Sequence, residues 1–289
     1  MLVSRRALLP IPLLLFAGCK ADAQRQPKTG DFRRVISLSP GTTEAVFALE
    51  AGARLVGRSR YCDYPPGAKS LPSVGGFVDP SLEAILGLSP DLVVGVQGPG
   101  GSKIAEQLSA RGIASYFPET DTLAQIDGML RGLGERLQAS DAASRVTRRI
   151  DAQRASVAKA IRGRSLPRAV LLFGLRPIVV AGKGGFADEI LRLSGARNVV
   201  SGPRYPTIGI EQLLALDPDV LIDATGASGH EGETVNATTP GFRELRAVKN
   251  QRLISLHDDR VLRPGPRIGE GLVVLAHALH PGIQLEAVP

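Results

Sequence analysis

Three groups of residues in this 289-residue chain have types and spacings suited to chemistry. The first is aromatic. Tyr61 and Tyr64 bracket Cys62-Asp63 and run into Pro65-Pro66, while Phe77 and Tyr205 each stand six residues before a glutamate, Glu83 or Glu211. Aromatics make up only 4% of the chain and Trp is absent, so any surface built by stacking must use these few rings. One such ring buries about 150–250 Å². The second group is His257-Asp258-Asp259-Arg260. There His257 fits either an axial ligand to iron or cobalt or a polar rim residue, with Asp259 and Arg260 as polar partners for a ligand. The third is the pair Glu83 and Glu211, two carboxylates at matching places in similar segments, which suits a two-fold partner carrying cations. Either one alone reads equally as a helix-terminal acid favoured by the macrodipole.

Other motifs point elsewhere and are weaker. Gly182-Lys-Gly184-Gly-Phe-Ala187 lies between a strand-like and a helix-like run, the context of a dinucleotide loop, but no acidic residue closes the next strand. A glycine-rich turn that lets the backbone approach a ligand or a neighbouring strand is the plainer reading. His230, His257, His277 and His280 are not spaced as a metal set, and Cys62 reads as a small packed residue. No resident metal or cofactor is expected. No nucleophile and base share a recognisable context, so the chain reads as a non-enzyme. The arginines are scattered with no aromatic-interleaved basic stripe, which argues against nucleic acid.

These residues need a scaffold, and the patterning supplies one. Short β-branched runs at Val35–Leu38 and Leu92–Val94 alternate with helical patterns at 42–49, 82–88 and 104–111. The grammar restarts at Ala169–Leu172 and continues through Ile178–Val180, a helix over 187–193, Val199-Val200, a helix over 213–216 and Val220–Ile222. Alternation of this kind predicts α/β lobes with parallel sheets. The halves also repeat: Ser81-Leu-Glu83 through Pro90-Asp91 to Val94 matches Gly209-Ile-Glu211 through Pro218-Asp219 to Ile222 at a constant offset of 128 residues. Between them Leu123, Ile126, Leu130, Leu133 and Leu137 form a helical stripe, and Val146, Ile150, Val157 and Ile161 another. A helix over 143–162 would be about 30 Å long, stiff enough to limit lobe motion to a small angle. The expected division is a first lobe at 34–121, a connecting helical segment at 122–165 and a second lobe at 166–289.

The composition, 43% hydrophobic and 22% charged, is that of a folded globular body. Residues 1–19 pair a basic head, Arg5-Arg6, with a short apolar run ending Phe16-Ala17-Gly18-Cys19, the pattern of an export signal with a lipidation cysteine at Cys19. The Arg pair also fits twin-arginine export. Residues 20–33 read as a flexible tether. Removal of the leader lowers the net charge from +7 to +5 and leaves Cys62 as the only thiol able to pair, so no internal disulfide is expected.

With Arg34-Val-Ile-Ser-Leu-Ser-Pro40, Thr43-Glu44, Tyr61-Cys-Asp-Tyr64-Pro-Pro66, Phe173-Gly-Leu, Gly182-Lys183 and Arg263-Pro-Gly-Pro-Arg267, the chain resembles the helical-backbone (class III) substrate-binding proteins of ABC importers, of the vitamin B12-binding type. The resemblance covers nearly the whole mature chain. It implies two α/β lobes around a ligand cleft, an extracytoplasmic location, a lipid anchor as the only membrane contact, and a monomer serving a permease dimer with its ATPase subunits. It implies that Tyr61, Phe77 and Tyr205 line the cleft, that Glu83 and Glu211 sit at the lobe tips and dock on the permease, and that the ligand is cobalamin or a related corrinoid, with haem or a ferric siderophore as alternatives and a metal ion as a lesser one. Val96 departs from the pattern, standing where an aromatic is expected.

Overall fold

A computed structural model describes residues 31–98, 101–226, 234–236, 238–256 and 258–286, without the side chain of residue 102. The leader, Cys19, His230 and His257 fall outside the described residues. The first lobe runs β1 (Val35–Ser37), α1 (Pro40–Ala48), β2 (Leu55–Arg58), α2 (Leu82–Gly87), β3 (Leu92–Val94), α3 (Gly101–Ser109) and β4 (Ala114–Tyr116). Its four strands are all parallel in the order β2-β1-β3-β4. Helices cover both faces, which explains why β3 is apolar throughout: Leu92 and Val94 face one core while Val93 faces another.

The chain then crosses through α4 (Leu123–Arg136) and α5 (Ser140–Ala160). The second lobe comprises β5 (Arg168–Leu175), β6 (Ile178–Val180), α6 (Phe186–Leu193), β7 (Arg197–Asn198), β8 (Thr207–Ile208), α7 (Ile210–Leu216), β9 (Val220–Asp223), α8 (Arg246–Lys249), β10 (Leu253–Ser255), α9 (Asp259–Leu262) and α10 (Ile268–Leu279). Its sheet is mixed, in the order β10-β9-β5-β6-β8 with β7 also parallel to β5. Here the expectation of a parallel sheet needs correction: β6 and β8 are antiparallel additions. Only Arg176-Pro177 separates β5 from β6, and so short a link makes a hairpin, never a parallel crossover. Val199-Val200 is likewise not a strand. The Asn198 side chain ends the ladder by donating to the carbonyls of Ala181 and Gly182 and accepting the Val200 N–H.

The duplication is physical as well as textual. Asp91 accepts the backbone N–H groups of Arg33 and Arg34 at 2.8 and 3.0 Å, and Asp219 accepts that of Arg168 at 2.9 Å. The guanidinium groups of Arg34 and Arg168 reach back to the carbonyls of Leu88 and Leu216, at 2.7 and 2.6 Å, where each repeat helix ends. Ser89 and Asp217, again 128 apart, both turn the chain with positive φ, 46° and 35°.

One apolar cluster runs unbroken from Val46 on α1 through Leu130 and Leu133 on α4 and Val146 and Val157 on α5 to Ile190 and Leu272 in the second lobe. Helix α5 has 21 residues, about 30 Å of rise. Because its apolar face is buried in this shared core, the connector is part of both lobes' packing and resists bending.

Candidate functional site

The loops of interest follow the carboxyl ends of the parallel strands, where open α/β sheets place their ligands. Tyr61 and Tyr64 follow β2, residues 95–98 follow β3, 117–122 follow β4, and Phe173 lies near the end of β5. Among the described residues, five large apolar side chains are exposed: Tyr61 and Tyr64 after β2, Val78 shortly before α2, Tyr205 on the link between β7 and β8, and Leu166 before β5. Tyr61 is 55% and Tyr205 53% exposed. Exposed rings on loops at the strand ends make these loops the candidate site.

Each ring is held from behind. In the first lobe the Arg60 guanidinium lies 5.6 Å from the Tyr61 ring centre and pairs with Asp79. This ties the Tyr61 loop to the one carrying Phe77 and Val78. Phe77 is half-buried and packs over Gly98. In the second lobe Phe173 meets Tyr205 edge to face, centroids 5.2 Å apart at 81°. Desolvation of the hydroxyl by the protein around it, with help from the charge of Asp121, pushes the Tyr205 phenol above its ordinary range.

Polar ties join the lobes beside these rings. Arg204 pairs with Asp121 at 2.7 Å, and Glu189 of α6 accepts the Leu123 N–H at the start of α4, also at 2.7 Å. A larger cluster centres on Glu44 of α1. Its buried carboxylate accepts two bonds from Arg267 (2.7 and 2.6 Å) and one from Arg263 (3.2 Å), both arginines lying just before α10. Arg263 also binds Asp63 and Asp259, each at 2.7 Å, and the Arg267 guanidinium covers the Tyr64 ring at 3.8 Å. Burial alone would raise the Asp63 carboxyl, but the hydrogen bond and charge of Arg263 outweigh it and hold that group below its ordinary range. The lobes touch closely here: a Cβ on Gly41 would lie 2.2 Å from the Pro264 carbonyl oxygen, so only glycine fits.

Of the residues picked from sequence, Tyr61, Tyr64, Phe77 and Tyr205 stand on the loops at this edge. Asp259 is engaged by Arg263. Arg260 is turned to Asp258 and to Glu270 of α10, and their bonds raise its pKa further above the ordinary arginine value. Glu83 and Glu211 are both exposed in the first turns of α2 and α7, and neither has an ion pair among the described residues. Cys62 is buried with its Sγ 3.2 Å from the Ser59 hydroxyl, and burial raises its thiol pKa. His280 is buried against the Gly195 carbonyl at 3.0 Å. Among the described residues no group of three or more His, Cys, Asp or Glu is placed to hold a metal ion. The glycine string at 182–187 follows an antiparallel strand, unlike a dinucleotide unit, and Gly182 lets the backbone close on residue 202. Sequence reasoning missed Glu44, Phe173 and the Arg204–Asp121 pair as site elements; the lone charged residue of α1 and arginines at 263 and 267 were the available signals.

A family model for periplasmic binding proteins matches residues 35–260. The vitamin B12-binding protein of Salmonella typhimurium is 32% identical over 248 residues, spanning 85% of this chain and 90% of that one. Among solved structures, the apo periplasmic haem-binding protein of Roseiflexus sp. RS-1 superposes with a TM-score of 0.77 at 28% identity, over 86% of this chain and 97% of that one. The periplasmic vitamin B12-binding protein of Vibrio cholerae gives 0.72 at 27%, over 86% and 97%. Since the family match begins at β1 and ends within α9, it takes in both sheets and the helices joining them, and the chain belongs to the periplasmic binding protein family.

Proposed function

We propose that this protein is the cargo-catching component of an ABC importer, exported and held at the outer face of the membrane by lipid on Cys19, and that its cargo is cobalamin or a related corrinoid. One observation carries the reading: exposed tyrosines stand on loops of both lobes, Tyr61 and Tyr64 after β2 and Tyr205 between β7 and β8. A flat macrocycle offers the broad apolar faces that such rings cover, and each ring contributes through area as well as stacking. The similarity to vitamin B12-binding proteins over most of the chain supports the same cargo. Glu83 and Glu211, exposed and without ion pairs among the described residues, are the docking points for the two permease subunits. The reading assigns no reaction to the protein.

Haem is the second reading, favoured by the exposed phenol of Tyr61 and by the likeness to a haem-binding structure. A tyrosine oxygen is an established haem ligand. A ferric siderophore is a third cargo for the same scaffold. Titration of the detergent-extracted full chain with cyanocobalamin, hemin and a ferric siderophore decides among them. The chain has four tyrosines and no tryptophan, so quenching of tyrosine emission reports chiefly on the site. Saturable one-to-one quenching by cyanocobalamin is expected; saturation by hemin alone overturns the corrinoid assignment.

A further inference from the structure

We infer that Glu44 is a positioning residue for the loop bearing Tyr61 and Tyr64, acting through two arginines of the opposite lobe; the inference rests on the cargo reading in assigning that loop to the binding surface. Glu44 sits on α1 with its side chain 2% exposed. A carboxylate taken out of water needs its lone pairs filled, and both oxygens are: Oε2 accepts Nε of Arg267 at 2.7 Å, and Oε1 accepts Nη2 of Arg267 at 2.6 Å and Nη1 of Arg263 at 3.2 Å. Two bonds to one planar guanidinium fix its plane as well as its place.

That plane is what the loop rests on. The Arg267 guanidinium carbon lies 3.8 Å from the centre of the Tyr64 ring, and Arg263 Nη1 donates to Asp63 at 2.7 Å. Beneath them Cys62 is fully buried and its N–H bonds to the Ser59 carbonyl at 3.1 Å. The four-residue loop is thus pinned at its base by Cys62 and along its flank by the two arginines. Tyr61 and Tyr64 are left exposed in fixed directions. Without the buried charge at Glu44, Arg263 keeps Asp63 and Asp259 as partners, but Arg267 loses the group that orients it under Tyr64.

A simpler role, general glue between lobes, makes a different prediction. The close approach of Gly41 to Pro264 and the shared apolar core already join the lobes. Glue would loosen the molecule broadly, whereas positioning would free Tyr64 alone. The experiment is tyrosine nitration by tetranitromethane of the unliganded full chain, read residue by residue by mass spectrometry, in the natural protein and in Glu44→Gln. Tyr116, packed under the Arg136 guanidinium at 3.8 Å, is the internal control. A several-fold faster nitration of Tyr64 with Tyr116 unchanged is expected, together with cyanocobalamin binding weakened roughly tenfold, the scale of one lost cation–π contact with its packing. Unchanged Tyr64 reactivity, or an equal rise at Tyr116, overturns the inference. Should Glu44→Gln fail to fold, Arg267→Lys, which keeps the charge but removes the planar fork, is read in the same way. If the natural protein binds neither cyanocobalamin nor hemin, the cargo reading fails, while Tyr64 nitration still decides whether Glu44 positions the loop.

Discussion

At the scale of single residues, the candidate site is a set of rings held on one side and left partly exposed on the other. Tyr205 shows the arrangement: Phe173 meets it edge to face, Asp121 and Arg204 lie alongside, and more than half of it remains in water. Replacing Tyr205 by Ala removes a contact surface without opening a core cavity. Cargo affinity should therefore fall about tenfold or more, about 1.4 kcal/mol, with the urea midpoint nearly unchanged; an unaltered dissociation constant in the fluorescence titration would place the ligand elsewhere. The carboxylates beside the rings make a second prediction. Asp63 and Asp258 are both held below their ordinary 3.8, Asp63 by Arg263 acting against burial and Asp258 chiefly by its hydrogen bond to Arg260. A depressed folded-state pKa means that the unfolded chain binds protons first on acidification. Their stabilisation is complete above the unfolded value and is lost as pH falls below about 4 through the folded values. Denaturant midpoints should hold level between neutrality and mild acidity and drop below that point, and Asp63→Asn should flatten part of the drop.

At the scale of elements, the duplicated unit of helix, turn, buried strand and Arg–Asp clasp is the organising piece. Asp219 binds the Arg168 backbone at the start of β5 and pairs with Arg246 at 3.1 Å; Asp91 holds the start of β1. Each aspartate thus anchors the first strand of its lobe to the strand beside it. Asp91→Ala and Asp219→Ala should each cost about 1 kcal/mol in urea denaturation, the scale of one lost hydrogen bond at a solvated site. A null effect at one with a large effect at the other would show that the halves have diverged in how they are held. This unit was legible in the sequence because its determinants are local: the Glu, Pro and Asp fall within a dozen residues of one another, and the apolar stripes of α4 and α5 declare their buried faces. The hairpin β5–β6 was not, since Ile178–Val180 reads as a buried strand in either direction and only the brevity of Arg176-Pro177 fixes which. Nor was the Glu44 cluster, whose partners lie 219 and 223 residues away. A buried acid and a remote arginine pair carry no shared period or spacing, so their meeting is set by the packing of lobe on lobe alone.

At the scale of the whole molecule, the ties between lobes are unequal, and that inequality constrains how a cleft can work. Glu44 and its arginines are shielded from water, where breaking one partner of a pair is expensive. Arg204 and Asp121 are 62% and 38% exposed, where a pair contributes little and is screened by salt. Lobe opening should therefore keep the Glu44 side shut and part at the Arg204 side, with the shared core around α4 and α5 limiting the angle. A body whose opening is so limited would be recognised by its partner through surface features present with or without cargo, and Glu83 and Glu211 have that character: exposed, without ion pairs among the described residues, in the first turns of matching helices in each lobe. Both are set apart from the tyrosine loops in the hydrogen-bond and ion-pair networks described, so charge at these two positions should bear on docking and not on cargo. Glu83→Lys combined with Glu211→Lys is expected to abolish most uptake of labelled cyanocobalamin in cells while the isolated protein titrates as before, and each single variant should fall between. Weakened binding by the isolated double variant would instead join the glutamates to the cargo site, and full uptake would move the permease contact to another face.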